Sequence, residues 1–351
     1  MYDNIHLIDL LRNDNALEKE QWIQLFDTFT DEDRLYAAGR ARAVCDSIYG
    51  KDIYIRGIVE FSNHCKNDCY YCGIRCSNKK LSLYRLTEDE IFECCKEGYE
   101  AGFHTFVLQS GEDLSYSCAD ICRIVSRIKE TYPDCAVTLS IGEKSRDEYS
   151  EYRKAGADRY LLRHETADEE HYRKLHPLRM SWKNRIRCLY DLKELGYQVG
   201  CGIMAGSPYQ DSSCIAKDML FMREFEPEMI GIGPFLPHSD TPFADMPRGS
   251  YTLTLFLLSL CRLMLPQVLL PATTALGTIH PMGREEGVKA GANVIMPNLS
   301  PTAVRKKYML YDNKICTEDS YSQCKTCLNR RMTAIGYNVT TGRGDHISRT
   351  I

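Results

Sequence analysis

Cys65, Cys69 and Cys72 stand at Cys-x3-Cys-x2-Cys spacing in the stretch Glu60-Phe61-Ser62-Asn63-His64-Cys65-Lys66-Asn67-Asp68-Cys69-Tyr70-Tyr71-Cys72. Three thiolates on one short loop can each cap one iron of a 4Fe–4S cluster and leave the fourth iron open. An open metal position binds a small ligand and lets it react, whereas a closed cluster stores an electron or holds a fold. S-adenosylmethionine (SAM) carries an amine and a carboxylate that can chelate such an iron. Zinc suits this spacing poorly, because its thiolate sites use four ligands and Cys-x2-Cys pairs. Cys76, farther along the same loop, would close the cluster into a plain electron carrier. His64 reads as a loop residue.

A second group, Cys316, Cys324 and Cys327, is spaced Cys-x7-Cys-x2-Cys. It can hold an iron–sulfur cluster or, with one more ligand, zinc. It follows the last expected strand, so it is expected away from the first cluster and structural rather than catalytic. The remaining eleven of the 17 cysteines, among them Cys94, Cys95, Cys122, Cys188 and Cys261, are scattered over expected helices and strands. They read as small buried hydrophobes. So many thiols without a disulfide framework suit a reducing, anaerobic cytoplasm.

These groups need a frame that points them at one another. Residues 1–50 read as a helical lead-in, with apolar residues at helical spacing over Ala16–Phe29 and Glu32–Tyr49. From Lys51 a short apolar strand, a loop and a helix recur. The strands expected are Ile53–Ser62, Thr105–Gly111, Ala136–Gly142, Arg159–Glu165, Gln198–Gly206, Met229–Phe235, Leu269–Leu276 and Asn293–Leu299. Thr87…Glu90 and Ser145…Glu148 are capping boxes. Gly102, Gly156, Gly196 and Gly291 each follow a helix, where a left-handed residue ends it. Strand–helix alternation predicts a parallel sheet. Eight units over residues 51–310 match a complete (β/α)8 TIM barrel, with an open doubly wound sheet as the alternative. Residues 311–351 form a C-terminal extension whose last ten or so residues are expected to be poorly ordered.

Chemistry in such a barrel gathers at the C-terminal ends of the strands. The second strand ends in Ser110-Gly111-Glu112, a turn able to hold an ammonium group or an ordinary tight loop. The third ends in Gly142-Glu143. The fourth ends in Arg163-His164-Glu165-Thr166, which suits a ligand that is both carboxylate and ammonium, or a mutual salt bridge. Arg185 falls in the first turn of the next helix. A cation there opposes the helix dipole, which marks it as an anion site or a solvated arginine. The fifth strand, Gly202-Ile203-Met204-Ala205-Gly206, is small enough for a flat adenine to approach the backbone. Thr273-Thr274 and Met296-Pro297-Asn298 close the set.

Composition excludes several classes. With 44 basic against 48 acidic residues and a net charge of −4, nothing suggests a nucleic-acid stripe or an anionic-membrane surface. The N-terminus lacks a secretory apolar region. The longest apolar run, Leu253–Leu265, is broken by Arg262 and too short to span a bilayer. A cytoplasmic protein is expected.

The cysteine loop, with an aromatic residue, Tyr71, before its last cysteine, is the signature of the radical SAM enzymes. The chain from about Arg56 to Cys327 resembles one family among them, HydE, the maturase of FeFe-hydrogenase. The matching stretches include Arg56-Gly57-Ile58, Leu108-Gln109-Ser110-Gly111-Glu112-Asp113, Asp158-Arg159-Tyr160-Leu161-Leu162-Arg163-His164-Glu165-Thr166, Gly231-Ile232-Gly233-Pro234-Phe235, Pro271-Ala272-Thr273-Thr274-Ala275 and Gly291-Ala292-Asn293-Val294-Ile295-Met296-Pro297-Asn298.

The resemblance implies that Cys65, Cys69 and Cys72 hold the 4Fe–4S cluster. SAM would be bound by Glu165 and Arg185, with Tyr71, Gln109, Ser110, Gly111, Glu112 and Met204 around it. Arg163, Thr273, Thr274, Met296 and Tyr311 would line the substrate cavity. Cys316, Cys324 and Cys327 would match a second cluster that the family does not always carry. The implied activity is reductive cleavage of SAM to a 5′-deoxyadenosyl radical. It would act on a small organometallic substrate, an iron complex with carbonyl, cyanide and cysteine ligands. Other hydrogenase maturases and a reducing donor such as ferredoxin or flavodoxin would be partners. Biotin synthase resembles the layout but places cluster ligands where Gly200 and Ala272 fall here, with Cys135 and Cys201 nearby. Two other readings stay open. One is a methylornithine synthase-type mutase acting on lysine, which would need an acidic partner for the lysine ammonium beyond Glu165 and Glu112. The other is a non-catalytic iron–sulfur carrier or scaffold.

Overall fold

The computed structural model describes residues 2–318 and 321–349. The lead-in is three helices, α1 Asn4–Asp14, α2 Lys19–Thr28 and α3 Asp31–Tyr49, where two were expected. Asn15, in the left-handed region, ends α1 and donates its backbone N–H to Leu11. Thr30 caps α3 by accepting from the Asp33 backbone N–H. Leu7, Leu11, Trp22 and Leu25 are fully buried, so the lead-in is part of the core.

The alternating part follows as β1 Asp52–Ile55, β2 Gly57–Ser62, α4 Glu88–Glu100, β3 Thr105–Ser110, α5 Cys118–Thr131, β4 Ala136–Ser140, α6 Arg146–Lys154 and β5 Arg159–Leu161. It continues through α7 Glu169–Leu175, α8 Trp182–Glu194, β6 Gln198–Ala205, α9 Ser212–Phe225, β7 Met229–Pro234, α10 Tyr251–Met264, α11 Thr274–Ile279, α12 Gly283–Lys289 and β8 Val294–Ile295. The chain ends with α13 Thr302–Arg305, α14 Tyr321–Ala334 and β9 Asn338–Thr340. Both expected capping boxes are present, at Thr87 with Glu90 and Ser145 with Glu148. The four expected junction glycines all have positive φ.

The strands are parallel and fall in two sheets, β2-β3-β4-β5-β6-β7 and β8-β1-β9. Single bridges run from Met229 to Leu269, Pro271 to Val294 and Ile58 to Asn298. The expected first strand, Ile53–Ser62, is broken at Arg56, whose buried guanidinium donates to the Met229 sulfur and the Gly344 carbonyl. The expected seventh strand, Leu269–Leu276, pairs only at Leu269 and Pro271. Pro271 has no N–H to donate, and Thr273 caps α11, so the chain turns helical at Thr274. The expected eighth strand, Asn293–Leu299, is reduced to two residues, with Pro297 interrupting the donors beyond them.

The C-terminal extension departs most from expectation. β9 pairs with β1 through Asp52↔Asn338 and Ile53↔Val339. Residues 343–346 then dock under the first residues of β3, β5 and β6. Thr105 donates to the Arg343 carbonyl (2.7 Å), Arg159 to Asp345 (2.6 Å) and Gln198 to Asp345 (2.8 Å). Thr350 and Ile351, the end of the stretch expected to be disordered, lie outside the described residues. Arg159 is fully buried, and a buried cation needs an anion, which the tail supplies.

Asp345 gives a stability prediction. Burial opposes its ionisation, but the hydrogen bond from Arg343 and the charge of Arg159 outweigh burial and hold its carboxyl well below the usual range. A depressed carboxyl stabilises the fold above the pKa of an unfolded aspartate, about 3.9, and that contribution is lost as pH falls through the lower folded value. Asp345→Asn removes the anion and leaves Arg159 buried and unpaired, which costs about 3–5 kcal/mol. Urea unfolding of the two proteins at pH 7 should show this loss, and the gap should close towards strongly acidic pH. An unchanged midpoint at pH 7 would contradict the tail's anchoring role.

Candidate functional site

The cysteine loop leaves the C-terminal end of β2 and is pinned on three sides. Lys66 N–H donates to the Glu112 carbonyl (3.0 Å), Tyr70 N–H to Leu175 (3.0 Å) and Gly73 N–H to Leu310 (2.9 Å). Inside the loop Arg75 and Ser77 both donate to the Asp68 carboxylate (2.6 and 2.7 Å). The Cys65 sulfur accepts two backbone N–H groups, from Asn67 and Glu112, each at 3.4 Å. Donors aimed at a sulfur stabilise a thiolate. The Glu112 donor requires the turn after β3 to come very close: a Cβ on Gly111 would lie 2.3 Å from the His64 carbonyl oxygen and 2.7 Å from the Cys65 Cβ.

Burial raises the thiols of Cys65 and Cys69 and, with the neighbouring Cys65 charge, pushes Cys72 up to about 12. Thiolates are favoured here only when cationic metal compensates for the lost water. Among the described residues no three His, Cys, Asp or Glu side chains converge as ligands of one ion do. The cysteines of a cubane sit on separate irons and do not have to.

The expected fourth strand, Arg159–Glu165, is cut to β5, Arg159–Leu161, and Glu165 stands past its end, bridged to Ile203 beside the loop. Its φ of 66° is a strained backbone for a non-glycine residue, held by its N–H bond to the Gly202 carbonyl (3.0 Å). Arg163 Nη2 and Glu165 Oε2 are 3.0 Å apart but not aligned as a hydrogen bond. Both atoms, and Arg163 Nε, are buried without a hydrogen-bond partner. Buried groups are seldom left so, and a ligand with an amine and a carboxylate would satisfy them. Arg185, in the first turn of α8, donates to Glu143 (2.5 Å) and to the Arg163 carbonyl (2.7 Å). The charges of Glu165 and Arg185 both act on Tyr71, and that of Arg185 on Cys69, so the two expected cofactor residues stand at the cysteine loop. The Glu112 carboxylate accepts the Glu143 N–H (3.0 Å) and pairs with Lys66 (3.1 Å). Met204 packs with Tyr70, Tyr71, Leu175 and Phe235 as an apolar wall. Gln109 donates to the Tyr308 hydroxyl (3.3 Å), and the Ser110 hydroxyl to the Gly111 carbonyl (2.6 Å).

His176 was not anticipated. Burial and the Arg185 charge lower it to about 3, so it is neutral. Its Nδ1 lies 3.0 Å from the Tyr172 carbonyl, which requires the proton there. Nε2 therefore accepts the Tyr71 hydroxyl (3.1 Å) and fixes that ring. Only its place just past a short helix hinted at this, and nothing in sequence linked it to Tyr71.

The residues expected to line the substrate cavity divide. Thr274 and Met296 line a hollow with Ile58, Glu60, Asn298, Arg284 and Lys314. Tyr311 stands close enough to feel the charges of Glu60 and Arg284, and its phenol is raised chiefly by burial. Thr273 spends its hydroxyl capping α11, accepting the Leu276 N–H (3.3 Å). Arg163 faces Glu165. Cys316, Cys324 and Cys327 line the same hollow as Thr274 and Met296, while Cys65 lines a different one with Arg75 and Cys76. None of Cys65, Cys69 and Cys72 lines the hollow of the tail cysteines, which unexpectedly border residues expected at the substrate cavity. Cys316 has a left-handed φ of 61° and takes an Arg284 donor at 3.7 Å.

Comparison with known proteins bears on all of this. The model of the radical SAM superfamily matches residues 59–222. The FeFe hydrogenase maturase subunit HydE of Thermotoga maritima is 48% identical over 287 residues, covering 82% of each chain. The 3-methylornithine synthase of Methanosarcina barkeri is 32% identical over 289 residues, 82% of this chain and 80% of that one. Among solved structures, methylornithine synthase superposes with a TM-score of 0.84 at 28% identity, over 95% of this chain and 97% of that one. HydG, a maturase of FeFe-hydrogenase, gives 0.80 at 20% identity, over 96% and 76%, which speaks for the fold alone.

The Gly111 approach can be tested directly. Gly111→Ala should push the turn after β3 away from Cys65 and remove the Glu112 donor, so iron and sulfide bound after anaerobic reconstitution should fall well below wild type while circular dichroism stays native. Full iron loading of a folded variant would show that the close approach is not needed.

Proposed function

Because the chain belongs to the HydE family of FeFe-hydrogenase maturases, within the radical SAM superfamily, we propose that it processes a small iron complex bearing carbonyl, cyanide and cysteine ligands on the way to the hydrogenase active site. The observation that carries this reading is the unsatisfied Arg163–Glu165 pair beside the cysteine loop, at the rim of a parallel α/β fold. Cys65, Cys69 and Cys72 hold the 4Fe–4S cluster, and Glu165, Arg185 and the turn at Gly111 seat SAM on it. When bound, this pair supplies reductive cleavage of SAM to a 5′-deoxyadenosyl radical. The protein binds, orients and keeps water away from that chemistry. His176 holds Tyr71, Glu143 holds Arg185, and Met204 offers an apolar wall to the adenine.

The proposal extends to the frame. The bridges at Leu269, Pro271 and Asn298 support a single closed (β/α)8 ring joining the two sheets. Residues 1–50, 51–310 and 311–351 are assigned as lead-in, barrel and extension. Cys316, Cys324 and Cys327 are assigned a second iron–sulfur cluster, with Arg284 as a donor beside it. Other maturases and a low-potential donor such as ferredoxin or flavodoxin complete a cytoplasmic pathway. No helix among the described residues is long and apolar enough to cross a membrane.

Two measurements test this. Anaerobically reconstituted and reduced protein should convert SAM to 5′-deoxyadenosine, and Cys65→Ala should abolish the conversion, because a cluster with two protein ligands cannot hold its open-iron geometry. Replacing Cys316, Cys324 and Cys327 together by Ala should lower iron content yet preserve cleavage. Wild-type cleavage in Cys65→Ala would remove the core of the reading, and loss of cleavage in a folded triple variant would make the tail site catalytic or an electron relay.

The substrate assignment is tested in a hydrogenase activation assay. The protein should be required for activation, and Arg163→Ala should lower activation more than SAM cleavage without substrate. Lysine should neither raise SAM turnover nor yield methylornithine. Methylornithine formed from lysine, or full activation without the protein, would overturn the assignment.

A further inference from the structure

Glu60 lines the hollow from β2, while its neighbours Val59 and Phe61, on the other face of the alternating strand, belong to the apolar core. Its carboxylate forms an ion pair with Lys314, delivered by the C-terminal extension. The side chains are only 5% and 9% exposed. Asn298 donates to the other carboxylate oxygen at 2.8 Å, so both oxygens of Glu60 are engaged. Lys314 also donates to the Tyr308 carbonyl (3.0 Å) and lies 5.1 Å from the centre of the Tyr308 ring. The pair lines the hollow that holds Thr274 and Met296. A third charge on that wall, Arg284, keeps a buried Nε with no hydrogen-bond partner. With Arg331, which pairs with Glu285 outside the hollow, the wall presents three cations and one carboxylate, and the carboxylate is already filled.

A buried ion pair contributes little net stability but makes loss of either partner costly, since the other charge is stranded. In a ligand cavity that asymmetry becomes selectivity. Were Lys314 absent, Glu60 would demand a cation, and a ligand bearing a side-chain ammonium would supply it. With Lys314 present, such an ammonium meets a filled carboxylate and three like charges. We propose that Lys314, by occupying Glu60, sets the charge preference of this cavity, rejecting ligands with a side-chain ammonium and admitting neutral or anionic ones. This rests on the reading of the hollow as the substrate site. It makes Lys314 a specificity residue rather than a staple between the extension and β2.

The test uses full-length, cluster-reconstituted protein with SAM and three probes of equal backbone: L-lysine, L-norleucine and L-2-aminoadipate. They differ only in a cationic, neutral or anionic side-chain end. Lys314→Met should tighten lysine binding by calorimetry on the order of tenfold or more, leave norleucine unchanged, and lose the gain when Glu60→Gln is added. Lys314→Arg should keep the wild-type preference. No gain for lysine in a folded Lys314→Met protein, an equal gain for norleucine, or a gain that survives Glu60→Gln would each overturn the proposal. If Lys314→Met does not fold, Glu60→Gln alone reads the pair in reverse: a stranded Lys314 should tighten aminoadipate over norleucine, and no change overturns the proposal. Hydrogenase activation measured on the same preparations separates the two readings. A charge switch with no role in activation would support the pair's function and remove the assigned substrate. Intact activation with no charge switch would do the opposite.

Discussion

The strands of the described residues pair with one another in parallel, so they end on one side, and the chemistry-bearing turns have one place to meet. One of those meetings is between the turn after β3 and the cysteine loop, where a side chain as small as a methyl at Gly111 would collide with His64 and Cys65. That contact gives Cys65 its second backbone donor, and the same turn sends Glu112 to Glu143, which in turn holds Arg185. Register, glycine and thiolate are one constraint seen at three scales.

Buried charges divide the molecule by purpose. At the N-terminal ends of the strands the fully buried Arg159 pairs with Asp345, which Arg343 links to Asp158. At the opposite end, Arg163 and Glu165 face each other without a hydrogen bond, and Glu165 bears backbone strain as well. Such a site is costly for folding alone and favourable once a zwitterionic ligand fills it. Glu60 and Lys314 are an intermediate case: satisfied, but inside a hollow where a ligand meets them.

The C-terminal extension links these regions. It supplies Tyr311 and Lys314 near the hollow, the three tail cysteines along one wall of it, β9 at the edge of β1, and Asp345 under the strands. An element that read as polar and marginal from its composition is tied to both ends of the sheet, because its charged groups meet the buried charges of Glu60 and Arg159.

What the sequence determined by itself is local. The Cys-x3-Cys-x2-Cys spacing, the capping boxes at Thr87 and Ser145, and the glycines after the helices each depend on residues a few positions apart, and each stands as expected. The alternation of strands and helices, and with it the parallel sheet, follows from the same short-range periodicity. Edges were less legible: Pro271 and Pro297 shorten two strands by removing donors, and another is broken at Arg56. Tertiary structure alone decided which distant polar groups meet. His176 reaches Tyr71 across 105 positions, Asp345 reaches Arg159 across 186, and Lys314 reaches Glu60 across 254. No periodicity spans such separations; only burial, which makes an unpaired charge costly, selects those partners once the chain has closed around them.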